Sequence, residues 1–160
     1  MFNTDVGLED IPVEPLRELY EYWNRIRGTR MMPARIDIQP AELASILPLL
    51  VLVDVEQNPE RFKIRLMGTE TVKVMGEDLT GQYLETLHDH EKLTQHMLWL
   101  VESHKPYLSC DTMSWKNKNY LSYYALALPL SDNDRDVNMI LFGFHYFFNT
   151  GVGEARTQAE

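Results

Sequence analysis

RLMGTETVKVMGEDLTGQYLETL (residues 65–87) sets three glycines, Gly68, Gly76 and Gly81, into a span that changes structural type twice. A strand runs into Gly68, which lets the chain leave at a sharp angle. TETVKVM (69–75) then reads as one or two helical turns, with Thr69 placed to cap the start and Gly76 to form the C-cap. Gly81 lets the linker turn ahead of Tyr83. Short helices joined by such loops drape over a sheet without filling every gap, which leaves room for a cavity or a movable lid.

The flanking segments supply the sheet. LLVLVDVEQ (49–57) is a nearly continuous apolar strand, Asn58-Pro59 makes the turn, and RFKIRLMG (61–68) returns with Phe62, Ile64 and Leu66 on one face. A longer helix over about 88–104 carries Leu93, Met97, Leu100, Val101 and His104 on one side. Three strands close the chain, at about 106–115, 120–130 and 137–148, joined by a tight turn at 117–119 and a polar hairpin loop at 131–136. The last strand is apolar on both faces, so it is expected to lie centrally or to be covered on its second side.

Upstream, Leu16, Leu19, Tyr20, Trp23 and Ile26 fall at offsets 0, 3, 4, 7 and 10, one stripe at helical period. Pro15 suits the first turn of that helix and Gly28 its stop. TRMMPARIDI is extended, and QPAELASILP reads as a short helix between Pro40 and Pro48. The resulting division is a flexible arm over 1–12, an N-terminal helical cap over 13–48, a core over 49–149 and a flexible tail over 150–160.

With 160 residues, 44% hydrophobic and 24% charged, the chain has the composition of one ordinary globular domain. The formal charge of -9 repels phosphate backbones and anionic lipid alike, so neither nucleic acid nor membrane is an expected partner. A lone cysteine, Cys110, excludes an internal disulfide and a four-cysteine zinc site. The start MFNTDVGLED has no signal-peptide pattern and no apolar run approaches the 18 or so residues of a membrane span, which gives a cytoplasmic expectation.

The order of elements, together with YEYWNRIRGTRMMPARIDIQPAELASILPLLVLVDVE (20–56) and FKIRLMGTETVKVMGEDLTGQYLETL (62–87), resembles a PAS domain. In combination, Tyr-Trp, Pro-x-Arg-x-Asp-x-x-Pro, Leu-Pro, Asp-Val, Arg-Leu-x-Gly-Thr and Asp-Leu-Thr-Gly resemble a bacterial PAS subfamily of short stand-alone proteins. The likeness covers roughly residues 16–148, and the last three strands match in pattern only. It implies an α+β fold: a PAS-like five-stranded antiparallel sheet with flanking helices and an N-terminal amphipathic helix. It also implies a sensory or interaction role, and it transfers no catalytic or binding residue. The flavin-photochemical PAS domains carry an Asn-Cys-Arg-Phe-Leu motif where this chain has Thr69-Glu70-Thr71-Val72-Lys73-Val74, without cysteine. Haem-type members use a histidine on the longer helix; His90 and His96 lie in that segment, but the surrounding motif differs. The cofactor is therefore left open.

Candidate residues follow from helix position and strand parity. Val72, Met75, Leu79, Tyr83, Met97, Trp115 and Tyr123 are the expected ligand-binding set. Trp115, Tyr120, Tyr123 and Tyr124 fit stacking on a planar ligand, and equally fit cross-strand packing. Leu16, Leu19, Tyr20, Trp23 and Ile26 either cover the sheet or form a homodimer interface. In HDHEKLTQH (88–96), His90 and His96 are six apart, whereas a helical metal pair wants four, so no metal site is expected and Asp89 is read as a helix cap. Cys110 is read as a half-buried strand residue, His145 as a hydrogen-bonded sheet histidine, and Arg65 as an ion-pair partner of Asp54.

These readings favour a stand-alone sensory or regulatory module that binds a small ligand or partner protein and signals through protein–protein contact. It is not expected to be an enzyme. One alternative is a small α+β enzyme with a cone-like cavity that pairs His145 with Asp111 or Asp54. Another is a ligand-free structural dimer with a filled core.

Overall fold

The computed structural model describes residues 1–113, 118 and 120–149. Alternating apolar residues build a single antiparallel sheet from β1 (Phe2–Asn3), β2 (Leu50–Glu56), β3 (Arg61–Met67), β4 (Tyr107–Thr112), β5 (Leu121–Leu130) and β6 (Met139–Phe148), in the spatial order β1-β4-β5-β6-β2-β3. The last strand is central, as its two apolar faces require. The sheet has six strands and not five. Residues read as a loose arm supply the extra one: Phe2 pairs with Ser109 and Asn3 with Leu108 along the edge of β4. Period-two reading misses a strand of two residues.

Three α-helices accompany the sheet: α1 (Glu14–Arg27), α2 (Thr69–Met75) and α3 (Glu91–Ser103). The register fixes which face each strand residue takes. Val51, Phe142, Ala127 and Tyr107 form one row across the sheet, and Leu50, Gly143 and Leu126 form the adjacent row on the opposite face. Helix α1 lies on this second, outer face. A Cβ built on Gly143 would stand 2.6 Å from Leu19 Cδ2 and 2.8 Å from Leu16 Cδ2, so the absent side chain is what lets the helix seat. Trp23 completes the seam by donating its indole N–H to the Pro129 carbonyl at 2.9 Å.

Between α1 and β2 the chain makes single 3-10 turns at Arg35–Asp37, Pro40–Leu43 and Leu47–Leu49. This replaces the short helix expected over 39–48. The last of these turns carries Pro48 at its second position, where the N–H that proline lacks would have no partner within the turn. Leu43 and Ile46 are nevertheless buried, so the segment still acts as a cover.

The glycine-rich span behaves as read, apart from its first cap. Helix α2 begins at Thr69, but Gly68 is its N-cap and no side chain caps it. Gly68 has ordinary extended backbone; its absent side chain matters because a Cβ would collide with the carbonyl oxygens of Pro48 and Leu50. Gly76 ends the helix in the left-handed region, donating its N–H to Val72 O at 2.8 Å. Gly81, at φ 92, turns its N–H back to Ile64 O at 2.7 Å and lays the linker along β3.

The helix–sheet seam yields a test. Leu16 and Leu19 are fully buried, so they have no free space into which to swing. Gly143→Val is expected to lower the unfolding free energy in urea by about 1–3 kcal/mol through overpacking. Adding Leu19→Ala should recover part of that loss, so that the double variant is less destabilised than the sum of the two.

Candidate functional site

Helix α1 covers the outer face; the inner face is covered only by the shorter α2, by α3 and by the loop between them. A cavity of about 580 Å³ lies there, a size typical of small-molecule sites. Its floor comes from the inner rows of the sheet: Val51 and Val53 of β2, Ile64 and Met67 of β3, and Phe142, Phe144 and Tyr146 of β6. Tyr123 of β5, with Ser109 and Asp111 of β4, extends that floor. The roof is Thr71 and Met75 of α2, Leu79, Leu84 and Leu87 of the connecting loop, and Leu93, His96 and Met97 of α3.

The exposed lining residues mark the mouth. Residues 88–92 enter from the start of α3, and Asp111 and Thr112 from the end of β4. Lys92 Nζ donates to Asp111 Oδ2 at 2.6 Å and so joins roof to floor at the opening. Burial pushes the Asp111 carboxyl up, but the Lys92 ammonium and the Thr112 N–H outweigh it and hold the group below the usual value. Asp89 is not the helix cap. It sits in the left-handed region at φ 55, and His90 takes the N-cap position without a side-chain cap bond.

The polar groups inside are hydroxyls. Thr71 Oγ1 and Tyr146 Oη share a 2.9 Å hydrogen bond. Burial pushes the Tyr123 phenol up to about 12 and the Tyr146 phenol higher still, against the lowering effect of Thr71. The Tyr107 hydroxyl, fully buried behind this wall, has no hydrogen-bond partner among the described residues. Burial holds His96 below the usual imidazole value, and Lys92 adds to that effect against the pull of Asp111. The His96 ring also stacks on Phe2 of β1, with centroids 3.9 Å apart and planes 6° apart.

Of the ligand-binding residues expected from sequence, Met75, Leu79, Met97 and Tyr123 stand together around this cavity. Val72 packs against the core without lining it. Tyr83 is a peg on the outside of β3: its hydroxyl donates to Glu56 Oε2 at 2.8 Å, and the Arg61 guanidinium lies 3.6 Å from the ring centroid. Trp115 lies outside the described residues. Strand parity would have nominated Phe142, Phe144 and Tyr146 together, but only the register with β2 and β5 shows that their shared face is the hollow one.

The remaining candidates fall away from the cavity. Leu16, Leu19 and Trp23 are buried against the chain's own sheet, and Tyr20 and Ile26 pack partly buried beside them. Tyr120, half exposed, stacks on Phe148. Tyr124 and His145 pair side by side on the outer face. Since Asp111 lies on the inner face, the His145–Asp111 pair of the enzyme alternative is not assembled. Asp54 is engaged by Arg65 at 3.1 Å. Cys110 is half-buried, and burial pushes its thiol up, away from the reactive thiolate. Among the described residues no group of three or more His, Cys, Asp or Glu is arranged to hold a metal ion, and no helix is long and apolar enough to cross a membrane.

The sequence profile of the PAS domain matches residues 11–144. Among solved structures, the chain is similar to an RNA-binding Light-Oxygen-Voltage receptor, at 12% identity and a TM-score of 0.49, over 82% of this chain. The chain spans 39% of that receptor. No characterised protein sequence matched.

The His96 environment sets a pH response. Its folded value lies below the unfolded value of 6.5, so its contribution to stability is present above 6.5 and is lost as pH falls through the folded value. His145, lowered by burial, acts in the same direction. Unfolding free energy measured in urea should therefore fall as pH drops below 6.5, and less steeply in His96→Gln than in the parent protein.

Proposed function

Because the chain belongs to the PAS domain family, its profile match spanning residues 11–144, we propose that it is a sensory module whose input is a small molecule held in the inner-face cavity and whose output is contact with another protein. The single observation that carries this reading is the cavity of about 580 Å³ under α2 and α3, bridged at its mouth by the Lys92–Asp111 ion pair.

The physics of such a module is a population shift. A ligand that binds one arrangement of the roof better than another moves the equilibrium by its difference in affinity, and 1–3 kcal/mol is typical of such coupling. The roof suits this task. Helix α2 has seven residues and α3 thirteen, and the loop between them carries left-handed backbone at Gly76, Gly81 and Asp89. The stacked His96–Phe2 pair gives the roof a direct contact with β1 at the sheet edge. In this reading occupancy of the cavity reaches a surface through the contacts of Phe2 with His96 and Trp99 of α3. The outward face of α3 and the β1 edge are the surfaces we assign to a signalling partner. The stripe on α1 is not assigned to it, because its leucines are already covered. The module's role in this reading is binding, with no chemical step.

The test has two parts. An organic extract of the purified protein, compared by mass spectrometry with extracts of unrelated proteins, should contain an apolar small molecule. Refilling the extracted protein with that material should move amide resonances of α2, residues 79–93, α3 and Phe2–Asn3 together, and Phe2→Ala should uncouple the last pair. An extract with nothing in it, together with a fragment screen that moves no roof resonance, would defeat the reading.

A further inference from the structure

Resting on that cavity reading, we propose that the site selects an uncharged, flat aromatic molecule and rejects carboxylates and phosphates. The floor along β6 is a ladder of rings. Phe142 and Phe144 lie with centroids 5.4 Å apart and planes 16° apart; Phe144 and Tyr146 follow at 6.0 Å and 10°. Tyr123 leans against the ladder at 61° to Phe144. Met75 of α2 and Met97 of α3 line the roof of the same cavity. A planar π system between rings and polarisable sulfur makes favourable contacts on both faces, whereas an aliphatic chain gains dispersion alone. Methionine side chains also adjust to ring outlines of different shape.

Charge decides the rest. The hydroxyls of Thr71, Ser109, Tyr123 and Tyr146 are neutral and suit a phenol, carbonyl or ring nitrogen. Among the described lining residues the one ammonium is Lys92, and Asp111 already holds it. His96 is held neutral by its surroundings. Asp89 and Glu91 also line the mouth, each next to a histidine, His88 and His90. An anion entering would pass an acidic rim and arrive where no cation is free, and a buried charge without a partner is strongly penalised.

Naphthol, naphthoate and decanol separate the possibilities when titrated into the full chain at near-neutral pH and physiological salt, by calorimetry and by methyl NMR. Naphthol is expected to bind about tenfold or more tighter than naphthoate, and tighter than decanol, with the methyl resonances of Met75 and Met97 moving. Asp111→Asn releases Lys92 and should lower the ratio of naphthol to naphthoate affinity several-fold, by raising the affinity for naphthoate. Lys92→Gln, which keeps the rim acidic and removes the ammonium, should leave naphthoate as weak as in the parent protein or weaker. Naphthoate binding as tightly as naphthol, or decanol binding tighter than either, overturns the ligand class and leaves the cavity reading standing. Binding that leaves the Met75 and Met97 methyls unmoved overturns the assigned site. No binding by any of the three overturns the class and the cavity reading together.

Discussion

The contact between α1 and Gly143 is the constraint from which the rest follows. A sheet whose central strand is apolar on both sides needs two covers, and the chain provides them unequally. On the outer side a helix of fourteen residues sinks two leucines into the gap left by one missing side chain. That cover is close-packed, and close-packed seams do not deform gradually. The sheet is thereby a fixed plate, and any movement is directed to its other side.

On that other side the cover is short and jointed. Helix α2 ends after seven residues, the following loop lies along β3 by the Gly81 and Ile64 hydrogen bonds, and α3 returns over the aromatic strand. Gly76 and Gly81, which interrupt these segments, prevent a long helix from forming a continuous roof. The hollow is therefore a consequence of chain punctuation, and its apolar lining a consequence of strand register. Partial burial displaces the two phenols that line it, Tyr123 and Tyr146, upward.

Much of this could be seen in the sequence. The stripe from Leu16 to Ile26, the two-strand hairpin, the helix stopped at Gly76 and the central last strand all follow from periodicity and glycine placement. The Arg65–Asp54 ion pair followed from alternation between paired strands. What could not be seen depends on contacts distant in sequence. Gly143 lies within an otherwise ordinary apolar strand, and its role needs α1 to be placed first. The two residues of β1 carry no period, and their attachment rests on pairing with a strand more than a hundred residues away. Asp89 looked like a cap because its residue type suits one; the backbone instead turns left-handed there and passes the position to His90. Tyr83 looked like a wall residue because it follows the linker glycine, but Arg61 and Glu56 draw it to the outside of the sheet.

The ion pair between Lys92 and Asp111 has a kinetic side. It is a strut between roof and plate at the entrance, and its lysine is two-thirds exposed. Surface pairs of this kind contribute less than about 1 kcal/mol, and dissolved ions at physiological strength screen them over roughly 8 Å. A contact so weak adds little to the stability of the fold, yet it is comparable to thermal energy, the scale on which a gate flickers. On the reading proposed above, ionic strength would act as a rate control: added electrolyte would loosen the doorway and shorten a ligand's residence within, while the helix seated on Gly143 on the far side would not register the change.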